Sequence, residues 1–172
     1  MRSWEQKIIR DVQSWQRWRD TRRSVKGHTV ILTNGCFDLI HYGHIQLLQT
    51  AKLQAEDSTL VVGVNSDESV RRLKGLHRPV VPEDQRLAVV AALEHVDYCI
   101  LFSELRCDKL MRLIQPDVWV KGGDYTLNVK GGDYTLNTLD ASEVVAATDL
   151  KTKINIIPYE SGISTTAILG RR

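Results

Sequence analysis

Thr29-Val30-Ile31-Leu32-Thr33-Asn34-Gly35-Cys36-Phe37-Asp38-Leu39-Ile40-His41-Tyr42-Gly43-His44 is the stretch on which the reading of this chain turns. Thr29 to Leu32 is short, apolar, rich in β-branched residues and bounded by Gly27 and Gly35, as a strand buried on both faces should be. From Gly43 to Leu53 the apolar residues recur at helical spacing. The stretch therefore predicts a strand, a glycine turn and the start of a helix. At such a corner the free backbone N–H groups and the positive end of the helix dipole face any bound phosphate. His41 and His44, at i and i+3 around Gly43, can turn both imidazoles to one site, and Gly43 keeps the backbone low enough for an anion to approach.

Outward from that corner, apolar strand candidates alternate with helical stretches. The strands are expected at 29–33, 59–64, 98–102, 118–120 and 154–157, and the helices at 43–53, 66–73, 83–95, 107–114 and 138–147. Such alternation predicts an α/β fold: a Rossmann-like, doubly wound, parallel five-stranded sheet with helices on both faces. Ligands in these sheets bind beyond the carboxyl ends of the strands, where the winding reverses. Before the first strand, Trp4, Ile8, Val12, Trp15 and Trp18 recur at helical spacing and predict an amphipathic helix over residues 3–20. Its stripe is expected to pack on the body of the domain, with a dimer contact as the alternative. The run Arg17, Arg19, Arg22, Arg23, Lys26, with Asp20 interleaved, reads as a solvated face.

The 172 residues make one domain, 1–172, with an N-terminal helix and linker over 1–25 and the Rossmann-like body over 26–172. With 42% hydrophobic and 26% charged residues and a net charge of +2, the composition is that of a globular protein and gives no reason to expect nucleic acid or an acidic membrane as partner. Trp4, Glu5, Lys7 and Arg10 leave no apolar run for a signal peptide or membrane span, so a cytoplasmic location is expected. Cys36, Cys99 and Cys107 form no C-x-x-C pair, and their odd number suits a reducing compartment without a zinc site.

Residues 120–137 hold an anomaly. Val120-Lys121-Gly122-Gly123-Asp124-Tyr125-Thr126-Leu127-Asn128 is repeated without change from Val129 to Asn137. Two such copies are too few and too glycine-rich for a solenoid. One copy is expected to loop out. The first continues the fourth strand without a break and is expected to be the working one.

Further motifs follow: Val64-Asn65-Ser66-Asp67, then Arg71-Arg72-Leu73-Lys74-Gly75, Arg78-Pro79-Val80-Val81-Pro82 with Arg86, Pro116-Asp117-Val118-Trp119-Val120-Lys121-Gly122-Gly123-Asp124-Tyr125, and Gly162-Ile163-Ser164-Thr165-Thr166. With H-x-G-H after the first strand and S-T-T near the end, the chain resembles the cytidylyltransferase-like nucleotidyltransferases over roughly residues 25–169. The intervening motifs resemble one branch, the adenylyltransferases of ADP-heptose synthesis.

That resemblance implies transfer of AMP from ATP to a heptose 1-phosphate, with release of pyrophosphate. The acceptor phosphate is already an anion, so no protein nucleophile is needed, and catalysis consists of positioning and charge neutralisation. The resemblance implies that His41 and His44 contact the triphosphate and its transition state, with Thr33, Asn34, Gly35, Cys36, Phe37 and Gly43 lining the nucleotide. Lys52, further along the same helix, is grouped with the histidines as a catalytic cation. Lys121, Gly123 and Asp124 leave the fourth strand at the switch point and are expected at the nucleotide. Ser164, Thr165 and Thr166 offer hydroxyls and backbone N–H groups to its phosphates. Asp38, Asn65, Asp67, Lys74 and Arg86 are candidates for the acceptor, although Ser66 or Asp67 can equally cap a helix and Arg86 can be an ordinary surface cation. No clustered carboxylates form a metal cage, so Mg²⁺ is expected to enter with ATP. A homodimer is implied by the resemblance. Two alternatives remain: a CTP-dependent enzyme acting on glycerol 3-phosphate, and a nucleotide-binding module without turnover.

Overall fold

The computed structural model describes residues 2–122, 139–157 and 170. Five strands, β1 (Thr29–Gly35), β2 (Ser58–Asn65), β3 (Tyr98–Phe102), β4 (Val118–Gly122) and β5 (Lys153–Ile157), form one sheet in the order β3-β2-β1-β4-β5. Every pairing is parallel. The order runs outward from β1 to β3, then returns to place β4 on the other side of β1, so the winding reverses between β1 and β4. The Rossmann-like α/β expectation is met.

Alternation along the strands feeds two cores. Val30, Leu32, Val61 and Trp119 point to one face, where they pack with Trp15 of α1 (Val12–Arg23), Leu110, Met111 and Ile114 of α5 (Asp108–Ile114), and Ala146 and Ala147 of α6 (Ala141–Leu150). Ile31, Leu60, Val62, Val64 and Val120 point to the other, against Leu47, Leu48 and Ala51 of α2 (Tyr42–Lys52) and Val90 and Ala91 of α4 (Glu83–Ala92). Helix α3 (Asp67–Lys74) follows β2, with Ser66 as its N-cap accepting from Ser69 N–H at 3.2 Å. At Gly63 in β2 a Cβ would lie 2.4 Å from Leu110 Cδ2, so only glycine lets α5 come this close to the sheet.

The N-terminal helix is present but shorter and shifted. Glu5–Lys7 is a single 3₁₀ turn, Ile8 forms a parallel bridge with Cys99, Ile9 N–H donates to Cys99 carbonyl at 2.7 Å, and α1 begins only at Val12. Pairing with the edge strand β3 outcompetes helical continuation at Ile8 and Ile9, whose β-branched side chains favour extended backbone. Trp15 and Trp18 stack at 4.9 Å and meet Tyr98 edge-on, so these two tryptophans of the stripe are used inside the subunit, while Trp4 stays exposed. The arginine run is not wholly solvated. Arg19 donates to Leu113 carbonyl and Arg23 to Gln115 carbonyl, closing the carboxyl end of α5.

The amino-terminal edge of the sheet is closed by carboxylates. Asp117 accepts from Val30 N–H at 2.7 Å, and Asp97 accepts from Leu60 N–H at 2.7 Å and from Lys52 Nζ at 2.6 Å. His28 joins Asp57 at 2.9 Å and Thr59 at 3.1 Å. Among the described residues no helix is long and apolar enough to cross a membrane.

β4 also bears on the duplication. Val120, Lys121 and Gly122 of the first copy lie in the strand, paired with Asn155, Ile156 and Ile157. In the register of the second copy Asn128 would replace Trp119, which is fully buried. The remainder of both copies lies outside the described residues.

Candidate active site

β1 ends in the turn Gly35-Cys36-Phe37, and the chain then enters α2 through His41. Phe37 adopts a left-handed backbone, φ 47°, which costs a non-glycine residue about 1 kcal/mol or more. Burial of its ring in the α2 face of the core offsets that cost. A Cβ on Gly35 would sit 3.2 Å from the ring, so the glycine makes room for the tucked aromatic. Phe37 in turn lies 5.2 Å from the His44 ring.

His41 is the N-cap of α2. Its backbone N–H donates to His44 Nδ1 at 3.3 Å, and the two rings lie 3.8 Å apart, tilted by 32°. Burial pushes the His44 imidazole down to about 4, with the neighbouring His41 adding to the shift, and burial also lowers His41. Both rings are thus neutral at neutral pH. Because His44 Nδ1 accepts a hydrogen bond, its proton resides on Nε2, which is a donor. Two buried polar atoms at this edge, Thr33 Oγ1 and His41 Nδ1, have no hydrogen-bond partner among the described residues. An orphaned buried polar group costs about 1–3 kcal/mol, and such groups in a folded protein call for a ligand, water or functional reason.

The turn is braced from behind. Arg86 spans Val81 carbonyl at 2.9 Å, Cys36 carbonyl at 2.5 Å and Asp67 Oδ1 at 2.7 Å. Asp38 accepts from Val80 N–H at 2.8 Å and Val81 N–H at 3.0 Å while pairing with Arg78. Both were expected to meet the acceptor, and this is corrected: the Arg86 side chain is 0% exposed and that of Asp38 1%, so neither can touch a ligand in solvent. They hold the Arg78–Pro82 segment against the turn. Glu83 ties the same region to α3 by accepting from Asp67 N–H at 2.6 Å.

Lys52 requires a second correction. It closes an 11-residue helix that begins beside His41, which carries it about 15 Å from the histidines. There it donates to Ser58 carbonyl at 2.6 Å and pairs with Asp97 at the amino-terminal edge. It is a structural cation, and the histidine pair loses it as a partner. Lys74, by contrast, is exposed at the end of α3 and near enough to Cys36 to act on its ionisation together with Arg86 and Arg78. Burial outweighs these cations and pushes the Cys36 thiol up, so it is no thiolate nucleophile at neutral pH.

On the opposite face of the same edge stand Asn34, Lys121 and Asn65. Asn34 Oδ1 accepts from Trp119 Nε1 at 3.1 Å and lies 3.5 Å from Lys121 Nζ. Asn65 is buried at the end of β2, with Nδ2 3.5 Å from Glu104 carbonyl. Asp67 is half-buried beside Arg86 and retains an exposed face. Gly43 is buried in the first turn of α2. Gly123, Asp124, Ser164, Thr165 and Thr166 lie outside the described residues. No group of three or more His, Cys, Asp or Glu side chains that could hold a metal is found among the described residues. Sequence reasoning missed Glu143 of α6, 3.9 Å from Lys121 Nζ, because no motif marks it. It also missed Arg78 as the partner of Asp38, which only the joint presence of F-D and R-P-V-V-P could have suggested.

A parallel sheet reversing at β1/β4, with a histidine pair at the start of α2, is the architecture expected of the nucleotidyltransferases that the sequence resembles. The family described as cytidylyltransferase-like matches residues 32–171, and the chain belongs to it. Among curated relatives, the bifunctional protein HldE of Wolinella succinogenes is 42% identical over 154 residues, covering 90% of this chain and 28% of the relative. The HldE proteins of Nitratiruptor sp. (41% over 146 residues) and Shewanella piezotolerans (44% over 145) cover 85% and 84% of this chain, and 28% of each relative. The chain thus spans a little over a quarter of their length. A lipopolysaccharide core biosynthesis protein from Thermoplasma volcanium superposes with TM-score 0.58 at 27% identity, covering 78% of this chain and 98% of that one. A pantoate-beta-alanine ligase from Francisella tularensis shares the fold with TM-score 0.55 at 15% identity, over 94% of this chain and 75% of that one.

Proposed function

We propose that this nucleotidyltransferase moves AMP from Mg²⁺-bound ATP to a heptose 1-phosphate, giving ADP-heptose and pyrophosphate. The observation that carries the chemistry is the adjacent, tilted and neutral His41–His44 pair, with the donor of His44 fixed on Nε2, at the positive end of α2. An acceptor phosphate oxygen attacks the α-phosphorus in line, the bond to the pyrophosphate oxygen breaks, and the negative charge that builds on the phosphate oxygens is met by donors already aimed there. Neutral imidazoles suit this role, since they supply hydrogen bonds without the desolvation cost of a buried cation. Lys121 and Lys74 supply positive charge from two sides. The backbone of Gly35 to Phe37 lines the nucleotide, and Asp124 and Ser164 to Thr166 complete its site. Asp67, at the start of α3, turns its exposed face to the acceptor.

The heptose acceptor rests on similarity to the HldE proteins and on the R-P-V-V-P and K-G-G-D-Y segments. A cytoplasmic homodimer is part of the same reading. Trp15 and Trp18 are not the dimer face, being packed against Tyr98, and light scattering tests the pairing. The functional test is a matrix of four nucleoside triphosphates against sugar and polyol phosphates with Mg²⁺, read as pyrophosphate release. The expected result is fastest release from ATP with heptose 1-phosphate. Faster release from CTP with glycerol 3-phosphate would move the chain to the alternative branch, and no release from any pair would make it a binding module.

A further inference from the structure

Lys121 leaves β4 at the switch point, but it does not stand alone there. Its Nζ lies 3.5 Å from Asn34 Oδ1, 3.9 Å from Glu143 Oε1 and 4.8 Å from the centre of the Trp119 ring. Asn34 is itself oriented, since its Oδ1 also takes the Trp119 indole N–H at 3.1 Å. Glu143, only 6% exposed, is anchored by the Cys107 N–H at 2.9 Å. A carboxylate so buried needs a counter-charge, and Lys121 supplies it.

We propose that Glu143 is a positioning residue: it holds the Lys121 ammonium at the mouth of the β1/β4 switch point, so that helix α6 sets how tightly the triphosphate binds. This rests on the reading of the site as a nucleotide site. A lysine stem has four rotatable bonds, and freezing such a side chain on binding weakens affinity by a few-fold. Glu143, Asn34 and Trp119 fix the stem before the ligand arrives and so remove that cost from the binding step. The carboxylate also opposes the incoming phosphates. Its buried, anchored position behind the ammonium lets Lys121 face the ligand while Glu143 does not.

Glu143→Gln tests this. Gln keeps an acceptor for the Cys107 N–H and loses the charge that orients Lys121. Calorimetric titration of the intact protein with Mg²⁺-ATP, which needs no acceptor, should show affinity about three- to tenfold weaker, with an unchanged melting temperature confirming the fold. In the Lys121→Gln background the same substitution should have no further effect, because the route runs through Lys121. A loss that persists there overturns the proposal, as does wild-type affinity in Glu143→Gln. If Glu143→Gln does not fold, Glu143→Asp keeps the charge but withdraws it by one methylene, and should weaken ATP by a smaller factor. Unaltered affinity in that variant overturns the proposal as well. Wild-type protein that binds none of the four triphosphates would overturn the nucleotide reading itself, and this inference with it.

Discussion

The two ends of the parallel sheet are built from similar residues and left in opposite states. At the amino-terminal edge each polar group just described has its partner: Asp117 on Val30 N–H, Asp97 on Leu60 N–H and Lys52, and His28 between Asp57 and Thr59. At the carboxyl edge, Thr33 Oγ1 and His41 Nδ1 are buried without partners among the described residues. A histidine, a lysine and an aspartate occur at both ends, so residue type does not separate function from structure. Saturation does. The amino-terminal groups named here pair with one another and hold the sheet together, while Thr33 Oγ1 and His41 Nδ1 at the carboxyl edge leave hydrogen bonds for a ligand to complete.

Substitutions at the two ends should therefore fail differently. The largest effect is expected from His44→Ala, which should lower turnover by about 10² to 10³ with ATP affinity much less altered, because the lost donor is aimed at charge that develops in the transition state. Steady-state kinetics of pyrophosphate release would check it. Near-normal turnover would remove His44 from the mechanism and, with it, the contrast between the edges.

Asp97→Ala should do the reverse. It leaves Leu60 N–H unpaired and takes one of its two acceptors from Lys52 Nζ in a half-buried place, a loss of about 2 kcal/mol, or about 4–8 °C in melting temperature for a chain of this size. The folded fraction should keep its kcat, and a large drop in kcat at constant stability would place chemistry at the wrong edge.

Acid sharpens the comparison further. The His44 imidazole is held near 4 in the fold against 6.5 for the ordinary side chain, so between those values the unfolded chain takes up a proton that the folded one refuses. Stability contributed by the neutral ring is fully present above pH 6.5 and is lost as pH falls toward 4, at no more than about 1.4 kcal/mol per pH unit, with His41 acting in the same direction. Urea melts of wild type and His44→Asn across pH 6.5 to 4.5 should show a shallower slope in the variant. Equal slopes would mean that the ring is not held neutral. The smallest effect on activity is expected from Lys52→Met, which should cost some stability and leave turnover where it was. A loss of turnover there would restore Lys52 to the site.

These contrasts also show what the sequence could carry. Short continuous apolar runs alternating with period-3.6 runs sufficed for the parallel α/β class and for both ends of β3, since burial on both faces leaves no polar alternation in the strands. The strand–turn–helix corner at 29–44 was legible for the same reason, and the glycine turn with its histidines announced the site. Contacts distant in sequence were not legible. Ile8 and Ile9 look helical until Cys99 offers a β bridge, and Arg86 looks like a phosphate fork until Cys36 carbonyl, Val81 carbonyl and Asp67 take its donors. Lys52 shows the limit most simply: a helix has two ends, and composition does not say that this lysine reaches back to Ser58 and Asp97.

The direct test of the contrast is to watch the histidines themselves. The chain has five, of which His41 and His44 mark the carboxyl edge and His28 the amino-terminal edge. Long-range ¹H–¹⁵N correlation of the imidazole nitrogens at pH 7, with and without Mg²⁺-ATP, reports tautomer, charge and ligand contact together. The account predicts a neutral, Nε2-protonated His44 in the free protein, with ATP shifting His41 and His44 and leaving His28 unmoved. ATP-induced shifts at His28 with His41 and His44 unaffected would contradict it.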